Sequence, residues 1–195
     1  LKQVRTTCPY CGVGCQQMLH VKGEQIVKIT AAEDGAPNYG KLCVKGRFAD
    51  DFIYSKDRLT TPLIREKNGE FREASWDEAL DLVAAKFKEI IAQHGPDSVA
   101  GISCARSINE DSYNMQKMFR AVFQTNNIDH CARVCHAPTV AGLAASFGSG
   151  AGTNSIAEYK DAKLFFCIGT NMTEAHPVAS YYVKQAKLRG AKLIV

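Results

Sequence analysis

Cys8, Cys11 and Cys15 stand in the run Cys8-Pro9-Tyr10-Cys11-Gly12-Val13-Gly14-Cys15, a C-x2-C-x3-C spacing, and Cys43 follows after a long gap. A group held by all four would tie the first part of the chain into one module, so this pattern limits the fold more than any other feature. Four thiolates are what a cubane [4Fe–4S] cluster needs, one for each iron. Three of them must converge from a tight loop, and Gly12 and Gly14 supply the backbone freedom for that. Zinc is a competing occupant, but structural zinc sites pair two short Cys or Cys/His knuckles, and Cys43 has no near partner among residues 40–60. Disulfides are a third reading. The spacing differs from the bacterial ferredoxin run, so no ferredoxin fold is implied.

The compartment bears on that choice. The chain has eight cysteines in 195 residues, the remaining four being Cys104, Cys131, Cys135 and Cys167. Leu1–Thr7 reads LKQVRTT and lacks the apolar core of a secretory leader, so the expected location is cytoplasmic, with thiols rather than disulfides. No stretch approaches the length of a membrane span. The net charge of +4 comes without a Lys/Arg block, so no basic stripe points to nucleic acid. A content of 46% hydrophobic and 23% charged residues fits a globular chain able to bury a core.

The first sixty residues are rich in loops, with short strands at Gln16–Lys22 and Gln25–Thr30 about a Lys22-Gly23-Glu24 turn. The character changes near Ser75. Ser75-Trp76-Asp77-Glu78 predicts a reciprocal capping box, and Trp76, Leu80, Val83, Phe87 and Ile90–Ile91 recur at helical spacing until Gly95-Pro96. Ser107-Ile108-Asn109-Glu110 predicts a second box, opening a helix to about Phe123. A buried strand is expected at Ser98–Ser103, helices at Thr139–Phe147 and Val178–Leu188, and strands at Leu164–Ile168 and Ala191–Val195. Such strand–helix–strand units imply a parallel sheet covered by helices. The expected fold class is α/β: a small cluster domain with short strands at 1–62, then a parallel-sheet α/β region at 63–195. The final strand runs into the end of the chain, which reads as a piece of a longer protein.

CPYCGVGC followed by KLCVKGRF resembles the opening of the large subunits of the dimethyl sulfoxide reductase superfamily of molybdopterin oxidoreductases. Within it, the match is to formate dehydrogenase catalytic subunits, and it covers the whole chain. The resemblance implies a [4Fe–4S] cluster on Cys8, Cys11, Cys15 and Cys43, and α/β domains enclosing molybdenum or tungsten on two molybdopterin guanine dinucleotides. It implies that Lys45 lies between cluster and pterin and helps electron transfer. A cation there can stabilise two anionic redox centres.

His130-Cys131-Ala132-Arg133-Val134-Cys135-His136 is dense in metal ligands. It is one residue too long for the C-x-x-C-H of a c-type haem. ARVCHAPTVAGL resembles the formate dehydrogenase segment whose Cys or selenocysteine ligates the metal. The resemblance makes Cys135 the ligand and His136 the active-site histidine, and gives Cys131 no role. A thiolate suits a soft metal, and an imidazole exchanges protons near neutral pH. Gly169–Pro177 (GTNMTEAHP) lies between a strand and a helix, where α/β sheets bind ligands, but carries no GxGxxG. By resemblance, Asn171 and Glu174 contact the pterin nucleotide, His176 fits the same pattern, and Arg106 and Lys117 are further cofactor contacts.

The implied function is oxidation of formate to carbon dioxide, with two electrons leaving through the cluster. The implied partners are formate, the C-terminal remainder of the subunit, which should carry a substrate-binding Arg beyond Val195, and electron-transfer subunits. Alternatives are a nitrate reductase-like enzyme or an electron-transfer subunit without the metal site. The chain alone is expected to be inactive, because half a clamp around two bulky cofactors supplies little orientation.

Overall fold

A computed structural model describes residues 1–195. They form two compact units, one of Leu1–Lys56 with Ala151–Val195, the other of Asp57–Gly150. The architecture is mixed α/β, as expected, with its strands divided among four separate sheets.

The first unit opens with a three-stranded antiparallel sheet of β1 (Lys2–Thr7), β2 (Gln16–Lys22) and β3 (Gln25–Ala31), in the order β1-β2-β3. β2 and β3 match their apolar patterns. β1 has no such pattern: Val4 is its only aliphatic side chain, and almost every residue is exposed. It forms by backbone pairing, Lys2 opposite Val21 through Thr7 opposite Gln16. Residues 32–42 make turns, and the short helix α1 (Val44–Arg47) follows Cys43.

The second unit begins with a hairpin, β4 (Leu63–Arg65) and β5 (Phe71–Glu73), which carries too few alternating residues to be legible in the sequence. Helix α2 (Trp76–His94) has the predicted limits, but only part of its predicted cap. Ser75 Oγ accepts the Glu78 N–H at 3.1 Å. The Glu78 carboxylate does not return to Ser75. It pairs with the Arg72 guanidinium, which also holds Glu66. A charged fork is a stronger partner than a neutral N–H. The predicted apolar face of α2 is only half used. Phe87 and Ile91 pack on the core of Val99, Phe119 and Phe123, while Trp76, Leu80 and Val83 are exposed.

β6 (Gly101–Ser103) pairs in parallel with β7 (Ile128–His130). The strand expected to be buried across Ser98–Ser103 is therefore shorter, and it is not buried: Ile102 is 76% exposed. Pro96–Ser98 is instead a 3-10 turn. Between the two strands, α3 (Asn109–Lys117) runs into a π-helical segment, Met118–Phe123. The box predicted at Ser107 is absent: the helix starts one residue later, with Ile108 at the cap position, and Ser107 Oγ donates to Cys104 O at 2.7 Å. The Phe119 ring packs so closely on β6 that a Cβ at Gly101 would lie 2.5 Å from its Cζ. Two helices close this unit, α4 (Ala132–Cys135) and α5 (Ala137–Phe147).

The chain then returns to the first unit. A 3-10 segment, Ile156–Asp161, opens with the capping box that the sequence reading missed, Ser155 with Glu158. β8 (Leu164–Phe166), α6 (Met172–Ala175), α7 (Pro177–Leu188) and β9 (Lys192–Ile194) follow. β8 and β9 pair in parallel, as the strand–helix–strand pattern predicted. The core of this unit joins Val13 and Cys15 of the cysteine loop to Val178, Ala179 and Tyr182 of α7. The Tyr182 hydroxyl donates to Pro37 O at 3.0 Å. No helix is long and apolar enough to cross a membrane.

Two buried amide side chains fasten residues 32–47 to β2. Asn38, with no exposed surface, accepts the Gln16 N–H at 2.7 Å and donates to Gln16 O and Lys41 O at 3.0 and 2.8 Å. Gln17, 1% exposed, donates to Gly46 O at 2.6 Å. Replacing Asn38 by Ala leaves the Gln16 N–H and Lys41 O without partners, while Gln16 O keeps the Ala32 N–H at 3.0 Å, and each buried orphan costs roughly 1–3 kcal/mol. We expect Asn38→Ala to destabilise the full-length protein by roughly 2 kcal/mol or more in urea unfolding, and an unchanged midpoint would contradict this account.

Candidate functional site

The cysteine loop spans the gap between β1 and β2. Cys8 N–H donates to Cys15 O at 2.8 Å and Gly14 N–H to Cys11 O at 3.3 Å, which folds the loop back on itself. Gly14 takes φ +70°, a left-handed conformation that suits glycine. Cys43 sits just before α1, which Gln17 anchors. The outcome is one pocket lined by Cys8, Cys11, Cys15 and Cys43, together with Tyr10, Leu42, Lys45, Gly46, Pro177 and Val178. At Gly46, a Cβ would lie 3.1 Å from Gln17 Nε2 and 3.3 Å from Cys8 Sγ, so the absence of a side chain here eases the close approach of α1 to the Cys8 thiol.

The electrostatics follow from this crowding. Burial pushes the Cys15 thiol up to about 12, and the nearby Cys8, Cys11 and Cys43 add to the effect. Burial also raises Cys8; a hydrogen bond from the Tyr10 backbone opposes it, Cys43 and Cys11 add to it, and Lys45 offsets it slightly. Four thiolates here would repel one another in a poorly solvated pocket, and a cationic iron core relieves that repulsion. No three His, Cys, Asp or Glu side chains of the chain close on a point suited to a single ion. A cubane asks for a more open arrangement, with one thiolate on each iron. The donor set and its enclosure fit a [4Fe–4S] cluster.

Lys45 lines this pocket and its Nζ donates to Glu174 O at 3.2 Å, tying α1 to α6. The side chains of Asn171 and Glu174 meet each other, Asn171 Nδ2 donating to Glu174 Oε2 at 3.1 Å. His176 links α6 to α7 and is exposed. A separate cleft beside β8 is lined by Tyr159, Phe165, Ile168, Thr170 and Met172, the last two flanking Asn171.

In the other unit, Cys135 is the last residue of α4, and His136 joins α4 to α5. His136 N–H donates to Ala132 O at 3.1 Å and its carbonyl accepts the Val140 N–H at 2.8 Å, so its backbone is fixed. Both side chains are exposed, leaving a thiol and an imidazole on adjacent residues free for a ligand. Arg106, in the turn after β6, and Lys117, ending α3, are also exposed.

The structure therefore gathers the four cysteines and Lys45 in one pocket, attaches Glu174 to it through Lys45, and sets Asn171 and His176 at the two ends of α6. Cys135, His136, Arg106 and Lys117 belong to the second unit. Sequence reasoning missed Gln17, Asn38, Gly46 and Val178 as parts of the pocket's frame. Only Gly46 gave any signal, as a glycine beside the fourth cysteine.

The Cys15 shift has a consequence for the metal-free protein. The folded chain holds this proton more tightly than the unfolded chain, whose thiol titrates near 9.0. The stability it contributes is whole below about pH 9 and is lost as pH rises towards about 12. We expect the urea midpoint of the metal-free protein to fall more steeply between about pH 9 and about pH 11 than that of Cys15→Ser, and parallel curves would refute this.

Comparison with known proteins places these features in a family. Residues 1–55 match the molybdopterin oxidoreductase Fe4S4 domain and residues 58–195 match the molybdopterin oxidoreductase family. The chain is 51% identical to the F420-dependent formate dehydrogenase 2 subunit alpha of Methanococcus maripaludis, and 48% identical to that organism's F420-dependent formate dehydrogenase 1 subunit alpha. These alignments cover 99% and 98% of the chain but 28% of each relative, so the chain spans little more than a quarter of their length. Acetylene hydratase from Pelobacter acetylenicus shares the fold, with a TM-score of 0.74 at 24% identity over 98% of the chain and 26% of that structure. The chain belongs to the molybdopterin oxidoreductase family and carries that family's Fe4S4 domain.

Proposed function

We propose that this chain is part of the catalytic subunit of a formate dehydrogenase, which oxidises formate to carbon dioxide and passes the electrons through a [4Fe–4S] cluster. The observation that carries this reading is a pocket of four thiols and one ammonium group in a chain so similar to formate dehydrogenase alpha subunits. We take residues 1–62 as the cluster domain and 63–195 as the start of the pterin-binding region, with 151–195 packed back on the former.

Bound to this protein, the cluster supplies one-electron steps, and molybdenum or tungsten on two molybdopterin guanine dinucleotides supplies the two-electron chemistry. Cys8, Cys11, Cys15 and Cys43 hold the cluster. Lys45 places a positive charge at its edge, where it favours the reduced, more negative state. Cys135 is the protein's ligand to the metal. Oxidation of one formate anion to carbon dioxide releases one proton and two electrons, and the His136 imidazole beside Cys135 accepts the proton. Asn171 and Glu174 offer an amide and a carboxylate to the donors of a pterin nucleotide, with His176 beside them. Arg106 and Lys117 offer cations to its phosphates. The electrons pass to partner subunits, and the remainder of the subunit completes the cofactor clamp. Thiolates that must remain reduced suit a reducing compartment, so we assign the protein to the cytoplasm.

The full-length protein, prepared anaerobically, should contain about four iron and four sulfide per cluster site, and Cys11→Ser or Cys43→Ser should lose most of that iron. Stoichiometric zinc without sulfide would overturn the cluster assignment. Cys135→Ala should abolish formate-dependent dye reduction with the cluster spectrum intact, and His136→Ala should lower kcat by roughly a hundredfold or more. Near-normal turnover in both variants would refute their roles.

A further inference from the structure

Cys104 and Cys131 are used by nothing described so far, yet the fold sets them side by side. β6 and β7 run parallel with Ser103 opposite His130. The Cys131 N–H donates to Ser103 O at 3.0 Å, so the ladder continues one residue beyond the strands. That step brings Cys104 opposite Cys131. Neighbouring strands lie about 4.8 Å apart, within the Cα separation of roughly 4.4–6.8 Å that a disulfide spans. Residues opposed in a ladder carry their side chains on the same face, so the two thiols stand on one face of the pair. Both cysteines are free, with Cys104 exposed and Cys131 partly so.

We propose that Cys104 and Cys131 form a redox-active dithiol, a modification site at which a small-molecule disulfide is the oxidant and an internal Cys104–Cys131 disulfide is the product.

The surroundings divide the labour between the two thiols. Cys104 is the attacking group. It is open to solvent, and its thiol is held below the ordinary range, first by the Arg106 backbone N–H, then by the Cys131 thiol, and further by the Arg106 charge. A thiolate in an electropositive, accessible position is the reactive form of cysteine. Cys131 is the resolving group. Its Sγ lies 3.8 Å from His130 Nδ1, whose lone pair is engaged by the Ala132 N–H at 3.1 Å.

The exchange balances in two displacements. The Cys104 thiolate attacks one sulfur of the small disulfide. A mixed S–S bond forms, the reagent's own S–S bond breaks, and one small thiolate leaves. Cys131, having given up its proton to the first small thiolate, then attacks the Cys104 sulfur, forming the internal bond and expelling a second small thiolate, which takes a proton from water. Two protein thiols lose two electrons and two protons, and one small disulfide becomes two thiols. Because the partners are already adjacent, the second displacement is intramolecular and outruns capture by another small thiol. The bond would pin the end of β6 to the residue that opens α4, whose last residue is Cys135.

The test is to hold the full-length, cofactor-loaded protein anaerobically in glutathione buffers from fully reduced to fully oxidised. Samples are then quenched in acid, alkylated and mapped by mass spectrometry after digestion. We expect a cross-linked peptide pair joining Cys104 to Cys131, lighter by two hydrogens than the separate peptides. Alkylation at the two positions should fall together, by about tenfold or more, towards the oxidised end. Cys104→Ser, at an exposed position, should leave Cys131 as alkylatable as in the reduced protein. Glutathione adducts that persist on Cys104 without the cross-link, or a cross-link from either residue to Cys135 or Cys167, would overturn the proposal. The measurement reads a covalent bond, so it stands or falls independently of formate turnover.

Discussion

Everything in the first unit that concerns the cysteines depends on two buried amides. Cys15 lies immediately before β2, and Cys43 comes from a segment of turns with no ladder of its own. Asn38 and Gln17 supply the missing connections, spending every bond they make on backbone groups of β2, Lys41 and Gly46. Amides suit this work because one side chain both donates and accepts, so it satisfies an N–H and a C=O together. Burial makes the arrangement strict, since an unmatched polar group in that position is costly. The segment bearing the fourth thiol is thereby tied to the strand that follows the third, and Gly46 lets the next helix come close to Cys8.

The part of this site legible in the sequence was the chemistry, and the part hidden was its frame. Four cysteines announce themselves by spacing, whereas one buried Asn among turn residues looks like any turn former. The same contrast runs through the fold. β2, β3, α2 and α7 carry period or capping signals and stand close to where those signals put them. β1 is an edge strand with one aliphatic residue, and β4 and β5 have three residues each, so their patterns are too short to read. The caps show another limit. Ser75 and Glu78 have the right spacing, but Arg72 on β5 competes for the carboxylate, and such competition depends on tertiary neighbours. At Ser107, the helix begins one residue later than the spacing implied, which puts Ile108 at the cap.

The family's fold and the chain's chemistry are separate levels of description. A hydratase shares this backbone arrangement, so the fold alone does not select a reaction. Selection rests on side chains grafted on it, and the reading proposed above gives that part to the exposed thiol and imidazole at the junction of α4 and α5. That junction has little freedom. The His136 backbone is bonded on both sides, to α4 through its N–H and to α5 through its carbonyl. Two side chains held on a rigid corner lose less entropy on meeting a ligand than they would from a loose loop.

The far wall of the cysteine pocket comes from α7. Val178 and Pro177 line it, and Val178, Ala179 and Tyr182 pack on the loop that bears Cys15. During synthesis the four cysteines leave the ribosome long before that wall exists. At ordinary translation rates of about 5–20 residues per second, the interval is on the order of ten seconds. Through that time the thiols are displayed on an open sheet, accessible to a cluster-delivering scaffold and to stray metals alike. The order of residues along the chain thus makes the pocket receptive early and closed late, so enclosure by α7 is the event that commits the site to its occupant.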